Sequence, residues 1–227
     1  MVSESTNPSV IGILALQGSF ALHRRALEQL GVTTRLVRRG EELDGIEGLI
    51  LPGGESTVFS KLSREFGLFD RLRAEAAAGL PLFGTCAGAI FLGSSDDDTP
   101  CLEAVPLDLA RNAYGRQVDS FERELTLDLQ DGSKAPFLCI FIRAPRILLP
   151  EKNPDLRVEI LGREGADAVL VRSQNILLST FHPELTEDRR VHRYFIGMVE
   201  QYRKLKTGAH PERVGAAGKR QTEQCQS

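Results

Sequence analysis

The chain lacks the features that would assign it to several large classes of protein. Its 227 residues carry a formal net charge of −3, so charge gives no reason to expect a nucleic acid or an anionic membrane as a partner. No apolar run approaches the ~20 residues that a membrane-spanning helix needs. The N-terminal segment, residues 1–8, lacks the basic and apolar regions of a signal peptide. We therefore expect a cytoplasmic protein.

Cysteine and histidine are also scarce, with four of each. The cysteines form no CxxC pair and no spacing typical of a metal site. No glycine-rich turn is followed by the Gly-Lys-Ser/Thr of a phosphate-binding P-loop. The sequence thus predicts free thiols in a reducing compartment, with neither a metal nor a cofactor.

What the first half does contain is an alternation of apolar runs and amphipathic segments. Strands are predicted at Val10–Leu16, Thr33–Val37, Gly48–Leu51 and Leu82–Gly84, and helices at Ala21–Leu30, Val58–Phe66 and Phe69–Ala78. This order favours an α/β fold with a central, mostly parallel sheet and helices on both faces. Sites in such sheets form at the carboxyl ends of the strands.

The second half is richer in predicted strands. These are Leu125–Leu129, Phe137–Ile142, Arg157–Leu161, Ala168–Val171 and Ile176–Thr180, before a closing helix at Val191–Lys206. No repeat or linker interrupts the pattern, so we expect one domain at residues 10–206. Residues 1–9 form an N-terminal extension, and the polar residues 207–227 are expected to be a disordered tail.

The most informative motif is Gly-Thr-Cys-Ala-Gly at 84–88, which follows a predicted strand. The pattern G-x-nucleophile-x-G is typical of a sharp strand-to-helix turn that exposes a reactive side chain. Gly84 and Gly88 remove the Cβ atoms that would clash there. At a helix start the thiol of Cys86 also feels the positive end of the helix dipole, which favours the thiolate. Cys86 is the candidate nucleophile.

A cysteine nucleophile needs a base, and the base needs an orienting acid. His182 and Glu184 follow a predicted strand, where an extended backbone would point side chains i and i+2 to the same side. His182 is therefore the candidate base and Glu184 its orienting carboxylate. His192 and His210 lie in or beyond a polar C-terminal helix, which leaves His23 as the competing histidine.

Backbone donors for an oxyanion are expected at two places. The paired glycines of Pro52-Gly53-Gly54 let N–H groups approach a ligand closely, and we predict the N–H groups of Gly54 and Ala87 as the oxyanion donors. The alternative is a turn in which Glu-Ser-Thr caps the next helix. One turn can both cap the helix and bind the oxyanion, so the two interpretations are compatible.

Two arginines, Arg111 and Arg143, stand beside small or aromatic residues. Arginine suits bidentate binding of a carboxylate, which an amino-acid substrate would offer. A surface arginine or a structural ion pair is an equal alternative for each.

Together these residues resemble the class I glutamine amidotransferases, and more closely the glutaminase subunits of pyridoxal 5′-phosphate synthases. The resemblance runs from about Val10 to about Lys206. Its blocks are GILALQG (12–18), LPGGEST (51–57), GTCAG (84–88), RNAYGRQVDSFE (111–122), FIRAP (141–145) and FHPELTED (181–188). The Cys and His-x-Glu elements alone indicate only the broader class. The blocks LPGGEST, RNAYGRQ and FHPELT are more specific to the glutaminase subunits of pyridoxal 5′-phosphate synthases.

The resemblance implies a flavodoxin-like glutaminase fold and a Cys86, His182 and Glu184 triad. It implies that L-glutamine binds against Gly53, Gly54 and Glu55, with Arg111, Ile142 and Arg143 completing the pocket. It also implies that ammonia passes to a separate synthase subunit in a hetero-oligomeric complex, which makes pyridoxal 5′-phosphate (vitamin B6).

The chain departs from this pattern in two places. The segment Ser94–Ala110, with an acidic run at 96–98, is slightly short, and Gly93 stands where the nucleophile helix usually continues with alanine.

Two alternative functions remain: a glutaminase that serves another amidotransferase, and a regulatory subunit without catalytic activity on the same scaffold. The intact Cys86, His182 and Glu184 argue against the second.

Overall fold

The computed structural model describes residues 9–95, 99–111, 120–149 and 157–208. The expected N-terminal extension lies outside these ranges except for Ser9, and the expected tail except for Thr207 and Gly208. The acidic run at 96–98 and residues 112–119 of the arginine block also lie outside them.

The first half of the chain alternates strands and helices as predicted. Strands β1–β4 span Val10–Leu14, Thr33–Val37, Gly48–Leu51 and Leu82–Thr85, and helices α1–α4 span Phe20–Gln29, Ser56–Glu65, Phe69–Ala77 and Ala87–Leu92. The predicted ends of these strands and helices differ from the observed ends by at most two residues. The first three helices end near glycines with positive φ, at 75° for Gly31, 66° for Gly67 and 88° for Gly79. Glycine adopts this conformation without a steric cost, so these helix ends are readable in the sequence.

The second half contains eight strands and one helix among the described residues. Strands β5–β12 span Ser94–Ser95, Asp108–Ala110, Ser120–Leu125, Phe137–Ile142, Arg146–Leu148, Val158–Glu164, Asp167–Ser173 and Ile176–Ser179, and helix α5 spans Arg190–Lys206. The predicted strand at Leu125–Leu129 is wrong, because β7 ends at Leu125. Leu127 and Leu129 are buried in the core without joining a strand ladder, so burial alone produced the alternating pattern.

The described strands include a seven-stranded sheet in the order β10-β11-β12-β4-β3-β1-β2. Strands β1, β2, β3, β4 and β12 run parallel, while β10 and β11 continue the sheet antiparallel. This confirms the expected mostly parallel sheet. Strand β12 enters the sheet directly beside β4, although 90 residues lie between Thr85, the end of β4, and Ile176, the start of β12.

Apolar side chains fill both faces of this sheet. In β3, Leu49 and Leu51 pack into one cluster, which contains Phe59 of α2 and Phe91 of α4. Ile50, between them, packs into the other cluster with residues of α1 and α5. Alternation of this kind buries a strand on both faces, and it confirms that helices cover the sheet on both sides.

Gly93 has a packing reason in this structure. Helix α4 ends at Leu92, and the N–H of Gly93 donates to Ala89 O at 3.1 Å. A Cβ at position 93 would lie 2.5 Å from Leu107 O and would also contact Leu109 Cδ1. The close approach of the chain at 107–109 therefore accounts for glycine in place of alanine.

The packing of α4 against β3 gives a test of the fold. A Cβ on Gly88 would meet the backbone of Leu51 and would lie 2.9 Å from Pro52 O. Because backbone atoms cannot move aside cheaply, Gly88→Ala should lower the free energy of unfolding by roughly 1–3 kcal/mol or more. Gly197→Ala is the matched control, since a Cβ on Gly197 in α5 meets nothing within 4 Å and alanine favours a helix by about 1 kcal/mol. Urea unfolding measures both changes, and equal stabilities for the two variants would contradict this packing.

Candidate active site

Cys86 lies at the sharp turn between β4 and α4. Its backbone has φ 49° and ψ −106°, a region that residues with a Cβ rarely adopt. Its N–H donates to Ser179 O at 2.8 Å, and its carbonyl accepts the N–H groups of Ala89 and Ile90 at 3.1 Å. The last residue of β12 and the first turn of α4 thus hold the strained turn from both sides.

Gly84 is required by the same turn. A Cβ at this position would lie 2.8 Å from the N and Cα atoms of Ala89 and 2.7 Å from Gly88 O. The helix can therefore begin this close to the strand only because the residue two before Cys86 has no side chain.

His182 and Glu184 follow β12, but their backbone is not extended as the sequence analysis expected. Strand β12 ends at Ser179, and a one-turn 3-10 helix begins at Pro183, directly after His182. Proline favours the first position of a helix, which explains the early turn. The side chains still meet, with His182 Nδ1 2.8 Å from Glu184 Oε1.

The buried pair of His182 and Glu184 is electrostatically coupled. Burial opposes ionisation of Glu184, but His23, the contact with His182 and a hydrogen bond from Ser19 together lower its pKa to about 2. Burial also opposes a charge on His182, but its interactions with Cys86 and Glu184 outweigh this and raise its pKa to about 10. The pair therefore favours an imidazolium beside a carboxylate.

A cavity of about 490 Å³ opens at the carboxyl ends of the parallel strands. It is lined by every residue expected at the site except Glu184, namely Gly53, Gly54, Glu55, Cys86, Ala87, Arg111, Ile142, Arg143 and His182. Cys86 Sγ lies 3.7 Å from Ile142 O, to which the thiol donates. Glu184 is 3% exposed and does not line the cavity, but it bonds two residues that do, Ser19 and His182.

The glycine loop at 52–54 packs directly on the catalytic candidates. A Cβ on Gly53 would lie 2.9 Å from His182 Nδ1, and one on Gly54 would lie 2.5 Å from Gln17 Oε1. The Gln17 amide donates to Glu55 O at 3.0 Å and accepts the Glu55 N–H at 3.3 Å. Glu55 precedes α2 without a side-chain capping bond, so the loop is held by Gln17 rather than by a Glu-Ser-Thr cap.

The two arginines lie on the cavity wall in different settings. Arg111 forms an ion pair with Glu55, with 3.4 Å between Nη2 and Oε1. Arg143 is exposed and has a positive φ of 43°. Their guanidinium groups give the cavity two candidate partners for a substrate carboxylate.

Two polar neighbours of the Glu184 carboxylate were not predicted from the sequence. Ser19 Oγ donates to Glu184 Oε1 at 2.6 Å, and His23 Nε2 lies 3.3 Å from Glu184 Oε2. His192 lies in the C-terminal helix α5 as expected, but on its buried face, where it touches His23. The burial of His23 could have been predicted from the sequence. His23 shares the buried stripe of α1 with Ala26 and Leu27, at the spacing of an inward-facing helix face.

Within the four described ranges, no group of His, Cys, Asp or Glu side chains has a geometry that could hold a metal ion. Cys86, Cys101 and Cys139 are free thiols. Among the helices of the same residues, none is long and apolar enough to cross a membrane.

The low pKa of Glu184 predicts a pH-dependent contribution to stability. A carboxyl group whose pKa falls from 4.5 when unfolded to about 2 when folded stabilises the fold above pH 4.5, and this is lost as the pH falls toward 2. The stability advantage of the wild type over Glu184→Gln, measured by urea unfolding, should therefore shrink steadily below pH 4.5.

Glu187→Gln is the control for this series, since the Glu187 side chain is 81% exposed. Its difference from the wild type should change little over the same range. A wild-type advantage over Glu184→Gln that stayed constant down to pH 3 would contradict the buried, ionised carboxylate.

Comparisons with known proteins agree with the geometry. The model of a family described as the SNO glutamine amidotransferase family matches residues 13–201. A protein named pyridoxal 5′-phosphate synthase subunit PdxT from Fervidobacterium nodosum is 43% identical over 197 residues, covering 86% of this chain and all of the relative. A protein of the same name from Carboxydothermus hydrogenoformans is 46% identical over 191 residues, covering 83% of this chain and 97% of the relative.

A solved structure supports the same assignment. The crystal structure of a glutamine amidotransferase superposes with a TM-score of 0.76 and 45% sequence identity, covering 85% of this chain and 100% of the other. The fold and family that the sequence motifs implied are both confirmed. The chain belongs to the SNO glutamine amidotransferase family.

Proposed function

We propose that this chain is the glutaminase subunit of a pyridoxal 5′-phosphate synthase, hydrolysing L-glutamine to glutamate and ammonia. The observation that carries the proposal is the meeting of Cys86 and the His182–Glu184 pair at one cavity. The shared name of the 42–47% identical relatives supports the choice of synthase.

In the proposed reaction, the Cys86 thiol proton lies on His182 Nε2, in the imidazolium that the buried pair favours, and the Cys86 thiolate attacks the carboxamide carbon of glutamine. Glu184 holds Nδ1, which leaves Nε2 for this proton. The N–H groups of Gly54 and Ala87 stabilise the oxyanion of the tetrahedral intermediate. The C–N bond then breaks as His182 returns the proton to the leaving ammonia, and a glutamyl thioester remains on Cys86.

Water completes the cycle. His182, neutral again, removes a proton from a water molecule that attacks the thioester carbon. The C–S bond breaks, glutamate leaves, and the sulfur regains its proton. The reaction consumes one water and needs neither a metal nor a cofactor.

The cavity wall matches the two charged groups of an amino acid. Arg111 and Arg143 are the proposed partners of the glutamine carboxylate, and Glu55 that of its ammonium group. Gly53, Gly54 and the backbone of Ile142 would contact the side chain as it reaches toward Cys86. The Arg111–Glu55 ion pair would keep both charges in place before glutamine binds.

We further propose that the chain works in the cytoplasm, in a hetero-oligomeric complex with the synthase subunit that consumes the ammonia. No nucleic acid or membrane enters this proposal. Because ammonia leaves at the carboxyl ends of the strands, the synthase subunit should dock near the mouth of the cavity.

The function is tested by glutamate release from purified chain, glutamine and a synthase subunit. Release should rise when the synthase subunit is added, and Cys86→Ala should abolish it because the nucleophile is lost. Cys101→Ala is the control, since the Cys101 side chain is buried among the residues packed on α4 and lies outside the cavity. Turnover retained in Cys86→Ala would end the proposed mechanism, and an inactive wild type beside its partner would end the proposed function.

The roles of His182 and Glu184 predict losses of different size. His182→Ala removes the group that accepts and returns the proton, so kcat should fall ~100- to 10,000-fold. Glu184→Gln keeps the base and loses only its charged partner, so its loss should be smaller. Steady-state kinetics in the complex measure both, and a Glu184→Gln defect larger than that of His182→Ala would contradict the assignment.

A further inference from the structure

The second oxygen of the Glu184 carboxylate faces a residue that the triad does not include. Oε1 is occupied by Ser19 Oγ at 2.6 Å and His182 Nδ1 at 2.8 Å. Oε2 faces His23 Nε2 at 3.3 Å and makes no well-aligned hydrogen bond to any described residue. Both side chains are fully buried, so His23 is the polar group on which this oxygen depends.

His23 is itself held by two neighbours. Its Nε2 also lies 3.2 Å from Thr85 Oγ1, at the end of β4, and its Nδ1 lies 3.1 Å from His192 Nε2. Helices α1 and α5 supply the two histidines, which we call the buried histidine pair. The pair thus connects the helix layer to the residue that precedes the nucleophile.

The carboxylate selects one tautomer for each member of the pair. An ionised carboxylate only accepts hydrogen bonds, so the Nε2 of His23 beside it must carry the ring hydrogen, which donates to Thr85 Oγ1. A neutral His23 then accepts at Nδ1, which requires His192 to donate its Nε2–H. The reverse arrangement would place the lone pair of His23 Nε2 against the negative oxygen.

Burial favours neutral imidazoles here. It lowers the pKa of His23 below 6.5 and that of His192 to about 3. His23 therefore acts on Glu184 through an oriented N–H rather than through a full positive charge. His192 Nδ1, which carries no hydrogen in this tautomer, has no hydrogen-bond partner among the described residues.

From these contacts we infer that His23 is a positioning residue for the reaction: its protonated Nε2, 3.3 Å from Glu184 Oε2, attracts that oxygen electrostatically so that Oε1 stays on His182. His192 assists by setting the tautomer of His23. This inference rests on the proposed glutaminase function and adds residues to its machinery. Without the N–H, the buried Oε2 also loses this electrostatic contact, and the carboxylate must rotate or take up a proton. Either change loosens the orientation of His182.

The test compares two substitutions of His23 in the complex with the synthase subunit. His23→Leu removes the donor at similar bulk, and kcat should fall about 10- to 100-fold, the usual cost of losing a partner that orients a functional group. KM for glutamine should stay the same, because His23 does not line the cavity. His23→Gln places an amide N–H near the position of Nε2 and should restore most of the rate.

The control on the same helix is Arg24→Gln. The Arg24 side chain is half exposed and pairs with Glu28, so its replacement should leave kcat unchanged. Should His23→Leu fail to fold in thermal unfolding, His23→Asn replaces it, since an asparagine amide lies near Nδ1 and cannot reach Glu184. Equal rates for the donor-lacking variant and His23→Gln would overturn the inference.

A double-mutant cycle separates positioning from general support of the fold. If His23 acts through Glu184, adding His23→Leu to Glu184→Gln should cost no further activity. Losses that multiply would overturn the inference. If the wild type is active and its His23→Leu variant is equally active, the inference is overturned, but the glutaminase function remains intact.

The tautomer can be read without any activity. Nitrogen NMR of histidine-labelled chain should show His23 protonated at Nε2, with the signal assigned by its loss in His23→Gln. A His23 protonated at Nδ1 would overturn the inference whether or not the chain hydrolyses glutamine, so its failure and that of the function remain distinguishable.

Discussion

The site depends on the parallel pairing of β4 with β12. Their register places Thr85 opposite Ser179, and the Cys86 N–H continues this ladder by donating to Ser179 O. One strand therefore delivers the candidate nucleophile and the other the candidate base at the same edge of the sheet. A shift of one residue in either strand would turn these side chains to the opposite face.

The parts of the site are packed on one another rather than placed separately. The backbone of Gly53 lies against the His182 ring, and Gly54 lies against the Gln17 amide. Gln17 in turn holds both backbone groups of Glu55. The proposed oxyanion donor Gly54, the candidate base His182 and the proposed substrate-binding residue Glu55 thus belong to one packed unit, which suits a site that must stabilise a transition state without reorganising.

Local signals made much of the fold predictable. Glycines mark the ends of α1, α2 and α3, and the two flanking glycines mark the Cys86 turn, so short stretches of sequence sufficed. Strands β5, β6 and β9 are only two or three residues long, too short to leave a pattern. The error at Leu125–Leu129 has a different cause, since side-chain burial imitated a strand where no ladder forms.

The site was predictable where a motif carries the chemistry and not where long-range packing does. Cys86, His182 and Glu184 follow from short motifs, although a 3-10 turn rather than an extended backbone joins the last two. The roles of Ser19 and His192 depend on contacts between residues more than 160 positions apart. A pattern search along the chain does not connect them, and the polar character of the C-terminal helix gave no sign that His192 is buried against His23.

The central claim is that Cys86 forms the covalent bond to glutamine, and labelling by an electrophilic glutamine analogue tests it most directly. The analogue carries a reactive ketone in place of the carboxamide, and mass spectrometry identifies the cysteine that it modifies. We expect a single modification, on Cys86, that glutamine slows by competition. Modification of Cys101 or Cys139 instead, or loss of glutaminase activity with Cys86 unmodified, would contradict the account.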